Sequence, residues 1–561
     1  MDSNAKDIKR TLAIRIAIIA GVFSLIVAAM LLVNYSQRME TEPGLEKQLA
    51  NRKDIYREFP GTEKFAGEVR QLDLKIRQGR MRWLAFSRKG AVLLLCGLVV
   101  CIGCLKYASS LGGVKPVVEG DAVDGAGQEK IAVMSGRFVW AGIAFLLLFA
   151  VLIGVRPGVE YVAEDLWPEF ISGWPTFRGP HGSGVSQHEN VPMEFDVKSG
   201  TGVLWKSPVP MDGMNSPVLW GDRVFLSGGD EKKLQVFCYD ANTGQLVWSR
   251  DVKSLAPADA EIEPMEDTGF SAPTMAVDGK RVYAIFATGD VVAYDFDGNL
   301  VWSKYLGVPD NMYGFSASLA MYKKMLIIQY DNGDDEDGKS KLYALDGFSG
   351  QPVWQVTRAV YSSWSSPVVV DVGLMSQIVT LAKPFAISYD AESGVEIWRA
   401  EFEAEDIAPI PVYAGGMVFA VMPNDLVMAI RADGQGDVTK THVAWENDEV
   451  DAPDICSPVT NGELLFVLST DGSLTCMNVK DGKMVWNKDL DEMFQASPSI
   501  VGGKLVLLSE KGNLVVAEVG REYKEISRSK LGERCYASPA FADGRMYIRS
   551  KKNLYCISKK E

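Results

Sequence analysis

Seven tryptophans, Trp205, Trp248, Trp302, Trp354, Trp398, Trp445 and Trp486, recur at intervals of 41 to 54 residues. Five of them close the same phrase: YDANTGQLVW (239–248), YDFDGNLVW (294–302), LDGFSGQPVW (345–354), YDAESGVEIW (389–398) and NVKDGKMVW (478–486). A period of this length, made of short apolar strands and Gly turns, is that of one four-stranded propeller blade. The phrase has a physical reading. An aspartate caps the turn through backbone N–H groups, the glycine takes a positive φ, and the indole supplies a plate that packs between neighbouring blades.

Blade starts give an independent count. Ser216-Pro217, Ala272-Pro273, Ser318, Ser366-Pro367, Pro411, Ser457-Pro458, Ser497-Pro498 and Ser538-Pro539 make eight. The last copy stops at Cys556 without a tryptophan strand, whereas Gly202-Val203-Leu204-Trp205 precedes the first copy as an orphan strand of that type. The orphan is expected to complete the eighth blade, closing the ring and removing two sheet edges. The seventh copy has Ile526 where tryptophan is expected, so its blade should be the least regular. The fold expected for residues 201–561 is all-β: an eight-bladed propeller of four-stranded blades. Residues 161–200 read as a linker and lead-in segment.

The first 160 residues differ in kind. They carry 22 Lys+Arg against 15 Asp+Glu, and the remainder 36 against 57. Apolar runs at 16–33, 90–105 and 138–155 predict about three transmembrane helices, near 12–33, 90–112 and 136–155, with a charged loop at 34–89. Lys6, Lys9, Arg10 and Arg15 place the N-terminus in the cytoplasm and a propeller after three spans outside it, while the 13 Lys+Arg of the loop vote for the opposite orientation. The acidic second part excludes nucleic acid as a partner, because phosphates are held by basic surfaces. The lipid bilayer is one expected partner and a protein or peptide another.

Catalytic constellations are absent from the sequence pattern. The chain has 3 His, and His181, His188 and His442 stand apart without metal-site spacing. No CxxC pair and no adjacent cysteines occur. Cys238, Cys476 and Cys556 take the strand position held by Ala293, Ala344, Ser388 and Ala429 in sister repeats, which marks them as small core residues. The acidic run Asp331, Asp334, Asp335, Glu336, Asp337 lacks the calcium-loop spacing and reads as a solvated hairpin. A bulky residue precedes each blade start: Met214, Phe270, Phe315, Trp364, Ile410, Ile455, Phe494 and Tyr536. These are expected to ring one mouth of the central channel as a partner-binding set, with inter-strand packing as the alternative.

The repeat phrase resembles the pyrroloquinoline-quinone-type (PQQ-like) repeat of quinoprotein alcohol dehydrogenases and of the propeller lipoprotein in the bacterial outer-membrane barrel-assembly machinery. Gly173-Trp174-Pro175-Thr176-Phe177-Arg178-Gly179-Pro180, followed by Gly184-Val185-Ser186, resembles the opening of a bacterial subgroup without assigned catalysis. That resemblance implies an exported propeller, which together with the three apolar runs gives a multi-pass protein of the bacterial inner (cytoplasmic) membrane with its propeller outside. The dehydrogenases add a vicinal disulfide, a tryptophan floor and calcium ligands. Neither the disulfide nor the long insertions appear here, so no PQQ and no calcium are expected. The leading expectation is a non-catalytic scaffold for a protein partner in the cell envelope. A membrane-bound PQQ-dependent dehydrogenase and a carbohydrate or ligand sensor are the alternatives.

Overall fold

A computed structural model describes residues 173–559, apart from 187, 189, 258, 259, 261 and 374, together with helical stretches within 10–31 and 90–109. The chain divides into two compact units, Met1–Val162 and Ala163–Glu561. In the first unit the two helical stretches pack closely: a Cβ at Gly97 would fall 2.4 Å from Ser24 Oγ. Among the described residues no helix is long and apolar enough to cross a membrane. The run expected to span at 90–112 is interrupted by Lys106 and its described course ends at residue 109. The third expected span and the loop at 34–89 lie outside the described residues.

The second unit is an eight-bladed propeller. Blades 1 to 7 cover residues 218–252, 276–305, 320–357, 368–401, 412–447, 459–489 and 499–530, each with four antiparallel strands running from the axis outward. Blade 8 takes three strands from residues 540–557 and its outermost strand from Val203–Pro208, paired antiparallel with Asn553–Ile557. The orphan strand therefore closes the ring as its sequence required. Two blades gain a fifth, parallel strand: Gly436–Asp437 on blade 4 and Val185–Ser186 on blade 7.

The repeat phrase is a docking device between blades. Trp205 Nε1 donates to Ala241 O at 3.0 Å, Trp248 to Phe296 O at 2.8 Å, Trp302 to Gly347 O at 2.9 Å, Trp445 to Val479 O at 2.9 Å and Trp486 to Gly520 O at 3.0 Å, always in the following blade. The indole lies on the turn glycine of that blade. At Gly482 (φ 67°) a Cβ would stand 2.5 Å from the Trp445 ring, so both the approach and the dihedral demand glycine. The aspartate does its part: Asp240 Oδ1 accepts from Asn242 N at 3.0 Å and Thr243 N at 2.8 Å. Within each blade the indole covers a small residue on the third strand, as in Cys238↔Trp248, Ala344↔Trp354 and Cys556↔Trp205. Space under the indole is why Cys, Ala and Ser recur there. Of the seven tryptophans, Trp205, Trp248 and Trp398 are buried and the others half-buried.

Blade 7 corrects one expectation. It has four full strands in the common register, and the residue at the tryptophan position is Ser527, paired with Val516, while Ile526 is 40% exposed. Loss of the indole is compensated twice. A larger Val516 fills the small-residue place, and the lead-in segment packs against the start of the outer strand of blade 8, where a Cβ at Gly202 would be 3.0 Å from Glu194 O and 3.1 Å from Phe195 Cβ. Phe195 N donates to Ser529 Oγ at 3.0 Å and Ser527 Oγ to Met193 O at 2.7 Å.

Candidate functional site

The innermost strands explain the serines of the blade starts. Ser216 N donates to Thr274 Oγ1 at 2.9 Å, Thr274 N to Ser318 Oγ at 3.0 Å, Ser318 N to Ser366 Oγ at 2.7 Å, Ile410 N to Ser457 Oγ at 3.1 Å, and Ser457 N to Ser497 Oγ and Ser497 N to Ser538 Oγ at 3.0 Å each. This belt of hydroxyl acceptors surrounds the axis. It also fixes the register: Thr274 and Ile410 stand where other blades have serine. The hydroxyl after Ser366 is missing because blade 5 has Ile410 there.

The lead-in segment closes one end of the channel. Trp174 O accepts from Leu219 N of blade 1 at 2.8 Å and Pro175 O from Val277 N of blade 2 at 2.9 Å. Thr176 and Phe177 line a small cavity with Leu319, Met321 and Val368. His181 Nδ1 meets Val369 O of blade 4 at 2.9 Å, Gly184 O accepts from Ile500 N of blade 7 at 2.9 Å, and Trp174 packs edge-on against Phe541 of blade 8 at 5.2 Å. At the centre is Arg178, 1% exposed. Its guanidinium donates to Pro458 O at 2.7 Å, Pro498 O at 3.1 Å, Ser457 O and Gly182 O at 3.3 Å and Ser183 O at 3.5 Å. Burial pushes this guanidinium down to about 9, with the Cys456 thiol opposing. A Cβ at Gly184 (φ 70°) would come within 2.2 Å of Arg178 Nη2. The run W-P-T-F-R-G-P is thus a channel plug whose arginine is the hub, a role the sequence reading did not assign.

The plug pairs with residues that follow the hydroxyl belt on the inner strands of blades 1, 2, 4, 6 and 7, so the mouth on the other side of the belt is the one the plug leaves uncovered. Met214, Trp364, Ile455 and Tyr536 each precede a belt hydroxyl by two residues and rim that mouth, half-buried or exposed. The same register in the other blades holds Ala272, Ser316, Ala408 and Gln495. Phe315 and Phe494 lie one residue earlier and are buried, Phe315 stacked on Tyr330 at 5.4 Å. Ile410 occupies the belt itself, and Phe270 stands four residues before Thr274, half-buried. Four of the eight expected residues therefore share one ring; the rest were matched by bulk rather than by hydrogen-bond register.

The remaining candidates are occupied structurally. Burial pushes the Cys238, Cys476, Cys535 and Cys556 thiols up to about 12, far from nucleophilic range. Asp331 of the acidic run is fully buried and binds Arg358 Nη1 at 2.6 Å, tying blade 3 to Tyr389 and Thr380 of blade 4. Asp337 meets Lys339 at 2.9 Å on the exposed hairpin. Among the described residues no three His, Cys, Asp or Glu side chains converge as a metal site. Trp364, the tryptophan at the uncovered mouth, is held edge-on by Tyr313 at 4.9 Å.

The fold and its docking motif define a β-propeller built of PQQ-like repeats. The family described as outer membrane protein assembly factor BamB matches residues 187–317, 338–457 and 437–521, and the chain belongs to it. The BamB of Yersinia pestis is 22% identical over 281 residues, 48% of this chain and 69% of that protein. The BamB of Escherichia coli K12 is 28% identical over 175 residues, 29% of this chain and 42% of that protein, so this match spans less than half of the relative. Among solved structures, the quinohemoprotein alcohol dehydrogenase of Comamonas testosteroni superposes with a TM-score of 0.52 at 12% identity, covering 73% of this chain and 85% of that one. That likeness is one of fold.

Proposed function

We propose that this protein is a non-catalytic scaffold, held at the bacterial cytoplasmic membrane by helices in its first 160 residues, which presents its propeller outside the cytoplasm to a protein partner in the cell envelope. The observation that carries the reading is the asymmetry of the channel. The plug and its buried arginine occupy one mouth, and the loops leading into the inner strands form the other. The names of the relatives, factors in outer membrane protein assembly, support a partner-binding role over catalysis. On this reading the protein works without PQQ or calcium, and its chemistry is that of a surface.

The experiment is site-specific photo-crosslinking in living cells. A photoreactive residue at Met312, 63% exposed on the open face, should give a discrete protein adduct, whereas one at Phe348, 70% exposed on the plugged face, should not. Equal adducts from both positions, or none from either, would refute the assignment. Protease added to intact spheroplasts should degrade the propeller; full protection until lysis would place it in the cytoplasm.

A further inference from the structure

The open face carries an apolar platform with a charge signature. The two longest connections into inner strands, residues 253–275 and 306–319, meet there: Met265 N donates to Met312 O at 3.2 Å and Thr268 Oγ1 to Tyr313 O at 3.1 Å. Met265, 44% exposed, and Met312, 63% exposed, thus sit side by side next to the Tyr313–Trp364 pair, and the same two connections carry Leu255, 45% exposed, and Val308, 41% exposed. Side chains this apolar and this exposed on neighbouring loops mark a binding surface. Methionine suits such a surface because its unbranched, polarizable side chain repacks against varied partners.

Charge names the partner. The eight connections into inner strands carry 17 Asp+Glu against 3 Lys+Arg, and the hairpins on the same face, between second and third strands, 10 against 7. The turns of the opposite face carry 10 against 8. Beside the platform Glu263, Glu266 and Asp267 are exposed and make no ion pair with a described residue. An anionic rim around apolar side chains repels acidic partners and steers cationic ones.

We infer that this platform, resting on the scaffold reading above, docks a cationic amphipathic segment of its partner: apolar side chains seat on Met265, Met312 and Trp364, and Lys or Arg residues meet the free carboxylates around them.

The probe is a synthetic amphipathic peptide of alternating Lys and Leu, titrated by fluorescence anisotropy against the full chain in detergent, with a Glu/Leu peptide of the same length as its control. Wild type should bind the cationic peptide and reject the acidic one, with affinity falling as salt rises. M265S/M312S and E263Q/E266Q/D267N should each weaken binding about tenfold, the second with a flatter salt dependence. All these positions are exposed, so an unchanged melting temperature verifies the fold of both variants. Equal binding of both peptides, or variants that bind like wild type, would overturn the inference. Crosslinking at Met312 separates the two levels. An adduct in cells without charge-dependent peptide binding keeps the scaffold and discards the cationic partner; charge-dependent binding without an adduct discards the scaffold instead.

Discussion

Removing the guanidinium at the channel hub tests the plug directly. Arg178 donates five hydrogen bonds, two of them at 2.7 and 3.1 Å to the carbonyls of Pro458 and Pro498, in blades 6 and 7. A hydrogen bond from a charged donor contributes about 1.5–3 kcal/mol when well formed. Counting the two shorter bonds at about 2.5 kcal/mol and the three longer ones at about 1 kcal/mol gives about 8 kcal/mol. Against this stands the burial of an un-neutralised cation. A shift from 12.5 to about 9 corresponds to about 5 kcal/mol. The difference, about 3 kcal/mol, is the expected loss of stability in Arg178→Ala. Arg178→Lys should lose nearly as much, because a single ammonium cannot reach acceptors on two blades and on the plug at once. Two readouts distinguish a hub from an ordinary buried residue. The denaturation midpoint of the propeller should fall, and limited proteolysis should cut within residues 173–186 before the blades unfold. If Arg178→Ala keeps the wild-type midpoint and its lead-in segment stays resistant, the plug is not held by this arginine and the reasoning fails.

Trp398→Ala should destabilise the propeller by about 3–5 kcal/mol, and Trp302→Ala by less, because the first indole is fully buried and the second only half; equal midpoints in calorimetry would contradict the docking role. Deleting the strand Val203–Pro208 should open blade 8, expose two sheet edges and produce aggregates in size-exclusion chromatography; a monomer of parental stability would show that the ring closes without it. Glu533 supplies a pH-dependent seam. Burial works against its ionisation, but Asn553, Lys206, Ser550 and Tyr555 all donate to it and bring it down from 4.5 to about 2. Its folded-state value lies below the unfolded one, so the stabilisation is complete above pH 4.5 and is lost as pH falls through about 2. With the side chain 20% exposed, Glu533→Gln should cost about 1–2 kcal/mol at neutral pH. Denaturant midpoints should converge with wild type in acid; a pH-independent gap would refute the linkage.

Much of this architecture was legible because the sequence repeats its physics. Each Asp, Gly and Trp of the phrase acts within one turn or against the next copy, so a single alignment exposes the blade length, the count of eight and the orphan strand. Even the cysteines at 238, 476 and 556 were identified as small residues by comparison with Ala344 and Ser388. The reading faltered where position in sequence and position in register part company. Ile526 stands in the tryptophan column by counting, yet a turn one residue longer than that of blade 1 puts Ser527 there, and Ser527 bonds instead to Met193 of the lead-in segment, more than 300 residues away. The mouth ring divides in the same way: Met214, Trp364, Ile455 and Tyr536 share one register, whereas bulk alone aligned Phe270, Phe315, Ile410 and Phe494 with them, because the hydroxyl belt that sets the register is formed by hydrogen bonds between different blades.

What the sequence determined by itself is therefore the repeat and its consequences: all-β blades, a closed ring of eight and the acidic charge of the part that carries them. The tertiary structure alone decided what happens on the axis, where eight copies converge and each contributes something different. Arg178, Asp331 with Arg358, and Arg549, whose Nη1 donates to Ser227 O at 2.8 Å, are buried polar groups with partners in other blades. No local pattern announces them, because a buried charge is stable only in the company of acceptors that the fold brings together from distant sequence. For the same reason the plug covers one mouth and not the other: its seven-residue run finds its partners on strands that only ring closure places around it.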